Sequence, residues 1–292
     1  MKFSLCTGML AATQDSLIGC TLKTKKITVE DLPFPSSSGI VLDLLFAHTD
    51  HQLSVQALCK AGELFGIRSQ GMRVALTRLA QQGKIGKTGR GNYQLNPGGN
   101  TLFRDVDDWL HKENRARSWK GQWLGIHVDA VARADKTIWR RHEKAIALRG
   151  FRPLRKFLYV RPDNLKGSLE QTRAELQALG LIDTALLFEI VRLDEQDDTC
   201  ARNLWNVEQL RLQYRALLDL VARSGKGLPK LTDGHAARES LLVGREVIRH
   251  IILDPLLPAQ MMPSQERHEL IDAARRYQIV ARRYWDEFLE QE

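Results

Sequence analysis

Residues 66–95 read GIRSQGMRVALTRLAQQGKIGKTGRGNYQL, and they carry the clearest structural signal in the chain. Ser69 can cap a helix in which apolar residues recur at intervals of three and four, and Gly83 ends the pattern. Two short extended runs follow, residues 84–87 and 92–95, with glycines in the turn between them. The pattern therefore predicts a helix followed by a β-hairpin. The apolar face of this helix consists of Met72, Ala75, Leu76 and Leu79.

A second helical pattern precedes this one. Ser54 can cap a helix with Leu58 on its apolar face, and Gly62 and Gly66 flank the turn that follows. Two helices joined by a short turn and followed by a hairpin are typical of a winged helix-turn-helix domain, whose second helix enters the major groove of DNA. We place this DNA-binding domain at residues 36–115.

The polar face of the helix that Ser69 is predicted to cap carries side chains that suit DNA. Arginine reads guanine and glutamine reads adenine in the major groove, and the start of a helix attracts phosphate. Residues 64–103 include six basic residues and no Asp or Glu, as a surface facing phosphates requires. A basic helix can also be merely a solvated face, but the turn, the hairpin and the absent acids favour DNA. The predicted major-groove residues are Arg68, Ser69, Gln70, Arg73, Thr77 and Arg78, and the predicted hairpin contacts to phosphate or the minor groove are Lys84, Lys87 and Arg90.

Three motifs in order resemble the PaaX family, repressors of phenylacetate catabolism. The first is residues 66–95, described above. The second, Trp119-Lys120-Gly121-Gln122-Trp123, is similar to the tryptophan-glycine-tryptophan start of the family's central domain. The third, Asp254-Pro255-Leu256-Leu257-Pro258, matches its C-terminal proline motif. The resemblance covers roughly residues 38–290, and it departs from the family at residues 264–266, where Ser-Gln-Glu replaces the usual Trp-Pro-Gly.

The resemblance implies a sequence-specific transcriptional regulator that is not an enzyme. It implies a homodimeric repressor of an aromatic-acid catabolic operon, which binds a double-stranded operator and is released by an aryl-acyl-CoA effector such as phenylacetyl-CoA. Effector binding between the central and C-terminal domains would change the spacing of the two winged helices. The sequence does not identify the effector-binding residues, and it predicts no metal or other cofactor.

Residues 116–196 have the strand and helix order β-α-β-β-α-β of a ferredoxin-like domain. This block resembles the small ferredoxin-like nuclease subunit of CRISPR systems, in which an aspartate at the end of the first strand holds a metal. Asp129 occupies that place, so a metal-dependent nuclease is the enzymatic alternative, and an acyl-CoA-binding adaptor is another. The predicted strands are residues 123–131, 157–160 and 185–193, with 152–156 in the second strand or in a strand before it, and the predicted helices are 135–148 and 169–179.

Residues 115–156 hold twelve basic residues and three acidic ones. Three interpretations stay open: the segment extends the DNA surface, receives the phosphates of coenzyme A, or pairs with the acidic stretch 183–198. Residues 194–198 are expected to be a polar boundary, and 197–292 an all-helical C-terminal domain with a break at 224–227. Its last helix has an apolar stripe that is expected to be intramolecular core or, alternatively, a dimer seam. The stripe consists of Leu270, Ala274, Tyr277, Ala281, Tyr284 and Phe288.

Composition and charge set the remaining expectations. The chain has 292 residues, 43% hydrophobic and 27% charged, with a net charge of +8. These values are ordinary for a globular protein and exclude a disordered or disulfide-dense chain. The four scattered cysteines predict free thiols in the cytoplasm. No apolar run is long enough to span a membrane, and residues 1–35 are expected to form an N-terminal extension.

Overall fold

The computed structural model describes most of the chain, namely residues 26–48, 50–99, 102–129 and 135–290. Within these ranges no helix is both long and apolar enough to cross a membrane. Most of the expected N-terminal extension lies outside them, and so do Cys6 and Cys20. The two described cysteines, Cys59 and Cys200, are free thiols. The described residues combine helices with antiparallel strands, which confirms an α+β fold.

The N-terminal part contains three helices and a small antiparallel sheet. Its elements are α1 (Ser37–Ala47), β1 (Gln52–Ser54), α2 (Val55–Glu63), α3 (Ser69–Gln81), β2 (Ile85–Lys87) and β3 (Asn92–Leu95). The strand order is β1-β3-β2, so the predicted hairpin is present and is joined by a third strand that was not predicted. The chain then continues through α4 (Phe103–Asp107) and a 3-10 helix (Trp109–Arg115).

The ends of α2 and α3 follow local chemistry. The hydroxyl of Ser54 caps α2 as predicted, by accepting a backbone N–H of the first turn at 3.0 Å, and Gly83 follows the end of α3 with φ +67°. The prediction that Ser69 caps α3 was wrong. The extended residue before the helix is Arg68, so Ser69 is already helical and its hydroxyl donates to Glu63 instead, at 3.5 Å.

The central part is a four-stranded antiparallel sheet with two helices. Its elements are β4 (Trp123–His127), α5 (Lys136–Leu148), β5 (Arg152–Arg155), β6 (Leu158–Pro162), α6 (Leu169–Leu179) and β7 (Leu186–Ile190). The strands lie in the order β5-β6-β4-β7, and every neighbouring pair is antiparallel. The predicted order of strands and helices is therefore confirmed, although β4 is shorter than expected. The predicted end of that strand, Val131, lies outside the described residues.

The acidic run at residues 194–198 is not a loop. It begins helix α7 (Glu195–Arg202), and the carboxylate of Asp194 accepts the N–H of Asp197 at 2.7 Å. Carboxylates at a helix start satisfy free N–H groups and complement the helix dipole. They stabilise a helix where the sequence predicted a polar boundary.

The predicted break at residues 224–227 lies slightly later in the chain. Helix α8 (Val207–Gly227) includes these residues and ends at Gly227, where a 3-10 helix (Leu228–Lys230) follows. The hydroxyl of Ser224 lies 2.8 Å from the Tyr277 hydroxyl and donates to Glu239 at 2.6 Å. Tertiary packing therefore overrides the low helix propensity of the two glycines.

Two further long helices, α9 (Asp233–Leu253) and α10 (Gln265–Glu290), complete the C-terminal part. The apolar stripe of α10 is buried in the chain itself, apart from its partly buried last member, Phe288. The stripe is thus intramolecular core, and the alternative interpretation as a dimer seam does not hold for these residues.

One hydrophobic core joins the N-terminal and C-terminal parts. Residues 39–47 of α1 are all buried, as expected for a helix that is apolar on every side. Asp43 of α1 forms a buried ion pair with Arg245 of α9. Helix α1 in turn packs against α3, so the position of α3 is fixed relative to the C-terminal helices.

Candidate nucleic-acid interface

Helix α3 has two faces of opposite character. Met72, Ala75, Leu76 and Leu79 are buried, as predicted, and pack towards α1 and α2. The other side is open to solvent. Its exposed residues, which we call the α3 polar face, are Arg68, Gln70, Arg73, Thr77 and Arg78.

The arginines of the α3 polar face have no counter-ion in residues 26–48, 50–99, 102–129 and 135–290. Among the described residues, no carboxylate forms an ion pair with Arg68, Arg73 or Arg78. The hydroxyl of Thr77 donates to the carbonyl of Arg73 at 3.1 Å, so it retains its acceptor capacity for a partner. The face therefore offers charged donors that are exposed and available.

Val74 lies among these polar side chains and was not singled out by the sequence. Its side chain is 58% exposed. An apolar group on an otherwise polar helix face can contact the methyl group of thymine in the major groove. A helical projection of residues 69–81 would have shown its position, because Val74 is four residues after Gln70 and four before Arg78.

The start of α3 is less favourable to phosphate than predicted. Ser69 is half-buried, and its hydroxyl donates to the carboxylate of Glu63. This exposed carboxylate, one residue before the acid-free stretch, lies at the end of the helix where a phosphate was expected. Glu63 was missed because the absence of acids was counted only from residue 64.

Two basic residues of the hairpin are exposed, one on a strand and one in the turn. Lys87 and Arg90 are exposed, and the Lys87 ammonium lies 5.9 Å from the centroid of the Tyr93 ring. Arg90 stands in the turn between Gly89 and Gly91, whose φ angles of +72° and +80° allow the tight reversal. The turn thus holds a guanidinium at the tip of the hairpin.

Lys84 connects the hairpin to the rest of the basic surface. Partial burial and the neighbouring Arg78 lower the pKa of Lys84. Burial and charge repulsion from Lys84 in turn lower the pKa of Lys144, which belongs to α5 in the central part. Three cations thus follow one another from α3 through the hairpin to α5. Nothing in the linear spacing places Lys144 beside a residue sixty positions earlier.

The rest of the basic segment 115–156 has several partners. Arg155 pairs with Asp197, inside the acidic stretch. Arg117 pairs with Asp163 at 2.7 Å, outside that stretch. Pairing with residues 183–198 therefore accounts for only part of the segment, and Lys144 supports the interpretation that another part extends the basic surface.

The motifs behind the family resemblance hold the parts together. Trp119 and Trp123 are buried with ring centroids 5.3 Å apart, and Trp123 stacks on Trp205 at 6.3 Å. In the proline motif, the carbonyl of Leu256 accepts a hydrogen bond from Asn164 at 2.6 Å. These residues join the C-terminal helices to the central sheet.

Asp129 lies two residues after the end of β4 and is exposed. Within the described part of the chain, no three His, Cys, Asp or Glu residues cluster in a way that could hold a metal ion. Asp129 therefore belongs to no group of potential metal ligands among the described residues.

No protein-family model matches the chain, and no curated protein matches it in sequence. Its fold is similar to that of a solved structure, the uncharacterized protein Rv0674 from Mycobacterium tuberculosis, with a TM-score of 0.58 and 22% sequence identity. The match covers 87% of this chain and 98% of the other. At this identity the likeness concerns the fold alone: N-terminal helices with a three-stranded sheet, a central four-stranded antiparallel sheet, and long C-terminal helices.

Proposed function

We propose that this protein is a sequence-specific DNA-binding transcriptional regulator. In this proposal α2 and α3 form a helix-turn-helix, the β2–β3 hairpin is its wing, and the central sheet is a ferredoxin-like domain. One observation carries the proposal: the α3 polar face is exposed and its arginines have no carboxylate partner within the described ranges, while the opposite face is anchored in the core. Such a helix can enter the major groove with its position already fixed.

The residues have distinct roles in this proposal. Arg73 and Gln70 read base edges, because an arginine fork matches guanine and a glutamine amide matches adenine. Lys87 and Arg90 contact phosphate or the minor groove from the hairpin. Lys144 of α5 extends the contact to the phosphate backbone, where a cation adds affinity without sequence preference.

The regulatory part of the proposal rests on the resemblance to the PaaX family. We propose a cytoplasmic homodimeric repressor that binds a two-fold operator with half-sites about 10 base pairs apart, or a multiple of that. An aryl-acyl-CoA such as phenylacetyl-CoA would release it, through unequal affinity for the DNA-bound and free states.

The DNA-binding proposal is tested by fluorescence anisotropy with an operator selected from random duplexes and with a scrambled duplex. Arg73→Ala is expected to cost about 1–3 kcal/mol on the operator and to relax sequence preference. Lys87→Ala should weaken both duplexes evenly and reduce the salt slope by about one unit. Arg283→Ala is the matched control, because this exposed arginine lies on α10. If neither the Arg73 nor the Lys87 variant differs from the control, α3 and the hairpin are not the interface.

The effector is tested separately by gel shift of the operator complex. Phenylacetyl-CoA should release the operator at concentrations at which free coenzyme A does not. Identical titration curves for the two compounds would reject this effector and would leave the assignment of the DNA-binding residues to the anisotropy experiment.

A further inference from the structure

A large cavity opens between the N-terminal and central parts. Its volume is about 910 Å³, within the range of pockets that bind small organic ligands. One wall is the segment that follows the hairpin, including α4 and the 3-10 helix, and the other is built from the central sheet and α6. Of the lining residues that the structure describes, seven are basic and five are acidic, and apolar side chains such as Phe103 and Phe151 lie among them. We call this space the central cavity.

Four charged side chains form a closed ring at its wall. Asp105 of α4 accepts hydrogen bonds from Arg149 at 3.2–3.3 Å and from Arg115 at 3.1 Å. Glu175 of α6 accepts from the same two arginines, at 3.1 Å from Arg149 and 2.8 Å from Arg115. Asp105 and Arg149 are largely buried, whereas Glu175 is about half exposed. Two guanidinium groups thus face the cavity with two carboxylates of the chain as their counter-ions.

Two further cations of the lining have no carboxylate in direct contact among the described residues. The Lys112 ammonium donates to the carbonyls of Ile251, Ile252 and Asp254 at the end of α9. Burial lowers its pKa to about 7. The Arg161 guanidinium donates to backbone carbonyls and to the Asn164 side chain.

Burial lowers the pKa of Arg161 to about 9, and repulsion from Arg115 and Arg149 adds to this shift. The wall of the cavity therefore concentrates positive charge beyond what its own carboxylates neutralise. A further anion would relieve this repulsion.

We propose that the central cavity binds a small organic anion whose carboxylate or phosphate group replaces Asp105 on Arg149 and Arg115. Both groups suit the bidentate donors of arginine. The remainder of the ligand would lie against Phe103 and Phe151. Asp105 is then an internal counter-ion that occupies the anion position when the cavity holds no ligand.

Replacement of Asp105 by a ligand anion would also change how two parts of the chain are joined. Asp105 belongs to α4, in the segment that follows the hairpin, and its bonds to Arg149 tie that segment to the central part. A ligand that replaces Asp105 on Arg149 would break these bonds and separate the segment from the central part. The effect on DNA binding rests on the proposed function, whereas the binding site does not.

The site is tested by calorimetric titration of the full chain at constant ionic strength. Pyrophosphate is the phosphate probe and benzoate is the carboxylate probe, so the two titrations identify the preferred group. Binding of either probe supports the site, and binding of neither overturns it. Arg149→Gln should weaken the better probe at least about tenfold, because a bidentate charged contact is lost.

Asp105→Asn should tighten the better probe by about fivefold or more, because the competing carboxylate is gone. Glu175→Gln removes the more exposed competitor and should act in the same direction, which keeps the test valid if the Asp105 variant does not fold. Asp197→Asn and Arg155→Gln are the matched controls, because they break an ion pair outside the cavity. Unchanged affinity in both the Asp105 and the Glu175 variant would overturn the role of the internal counter-ion.

The tie between the cavity and DNA is tested without ligand. Asp105→Asn should lower operator affinity about fivefold, whereas Asp197→Asn should not. Unchanged operator affinity in the Asp105 variant would overturn the coupling. If the wild-type chain binds no DNA, the proposed function fails, and the titrations above still decide whether the cavity binds anions.

Discussion

The arginines of the α3 polar face and the arginines of the interior have the same side chain in opposite surroundings. Arg73 and Arg78 are exposed and have no carboxylate partner among the described residues. Arg149 and Arg245 are largely buried and pair with Asp105 and Asp43. A paired interior arginine joins parts of the chain, whereas an exposed unpaired arginine contributes little to the fold and remains available to a polyanion. Substitutions in the two regions should therefore affect different measurements.

The largest expected effect is on stability and comes from the buried ion pair of Asp43 and Arg245. Asp43→Ala leaves Arg245 buried without its ion-pair partner, so we expect the free energy of unfolding to fall by about 3–5 kcal/mol in urea denaturation. Arg73→Ala should change it by less than about 0.5 kcal/mol. Equal losses of stability in the two variants would remove the distinction between the regions.

Helix α5 extends the comparison, because it carries a buried histidine and, two residues later, a half-buried lysine. His142 is buried in it, and neither ring nitrogen has a hydrogen-bond partner in the part of the chain that the structure describes. Burial lowers the pKa of His142 to about 4. The unfolded chain binds the proton more tightly, with a pKa near 6.5, so this group favours the folded state above pH 6.5. That contribution is lost as the pH falls towards 4.

We therefore expect His142 to cost the wild-type protein about 2 kcal/mol of stability between pH 7 and pH 5. Urea denaturation of wild type and His142→Phe at several pH values gives the difference. If the free energies of unfolding of wild type and His142→Phe differ by the same amount at every pH, His142 is not the group that causes the pH dependence.

Lys144 lies two residues later on the same helix, and we expect its substitution to affect DNA binding. Lys144→Ala is expected to weaken binding to operator and scrambled duplex alike, by about 1 kcal/mol, and to reduce the salt slope by about one unit. Anisotropy titrations at three salt concentrations measure the slope, and loss of sequence preference in this variant would show that Lys144 reads bases rather than phosphate.

The smallest expected effect comes from Glu63, whose carboxylate lies beside the start of α3. Glu63→Gln removes a negative charge next to the expected phosphate position, so DNA affinity should rise by about 0.5 kcal/mol at low salt and less at high salt. Glu208→Gln, an exposed change on α8, is the control. A decrease in affinity in the Glu63 variant would place the DNA elsewhere.

Local features of the fold were predictable because local chemistry sets them. The periodic apolar residues of α3 and the glycines of the hairpin turn each determine a short segment, and both predictions were confirmed. The acidic start of α7 was misread because the same carboxylates suit a loop and a helix N-terminus. Strand β1 has only three residues, too few for an alternating pattern to be recognised.

The residues that link distant parts could not be predicted in this way. Lys84 and Lys144 are sixty positions apart, and Asp105 and Arg149 are forty-four apart. Their proximity depends on how the hairpin and α4 pack against the central part. Periodicity within one segment carries no information about such packing, so the central cavity and the proximity of Lys84 to Lys144 emerged only from the structure. The extension of the DNA surface by residues 115–156 was one of three interpretations that the sequence left open.

In the proposed complex, DNA lies on the α3 polar face. The most direct test is modification of arginines by phenylglyoxal, read by mass spectrometry, with and without bound operator duplex. The duplex should protect Arg68, Arg73 and Arg78, whereas Arg283 on α10 should react at the same rate in both samples. Full reactivity of the three α3 arginines in a saturated complex would contradict the account.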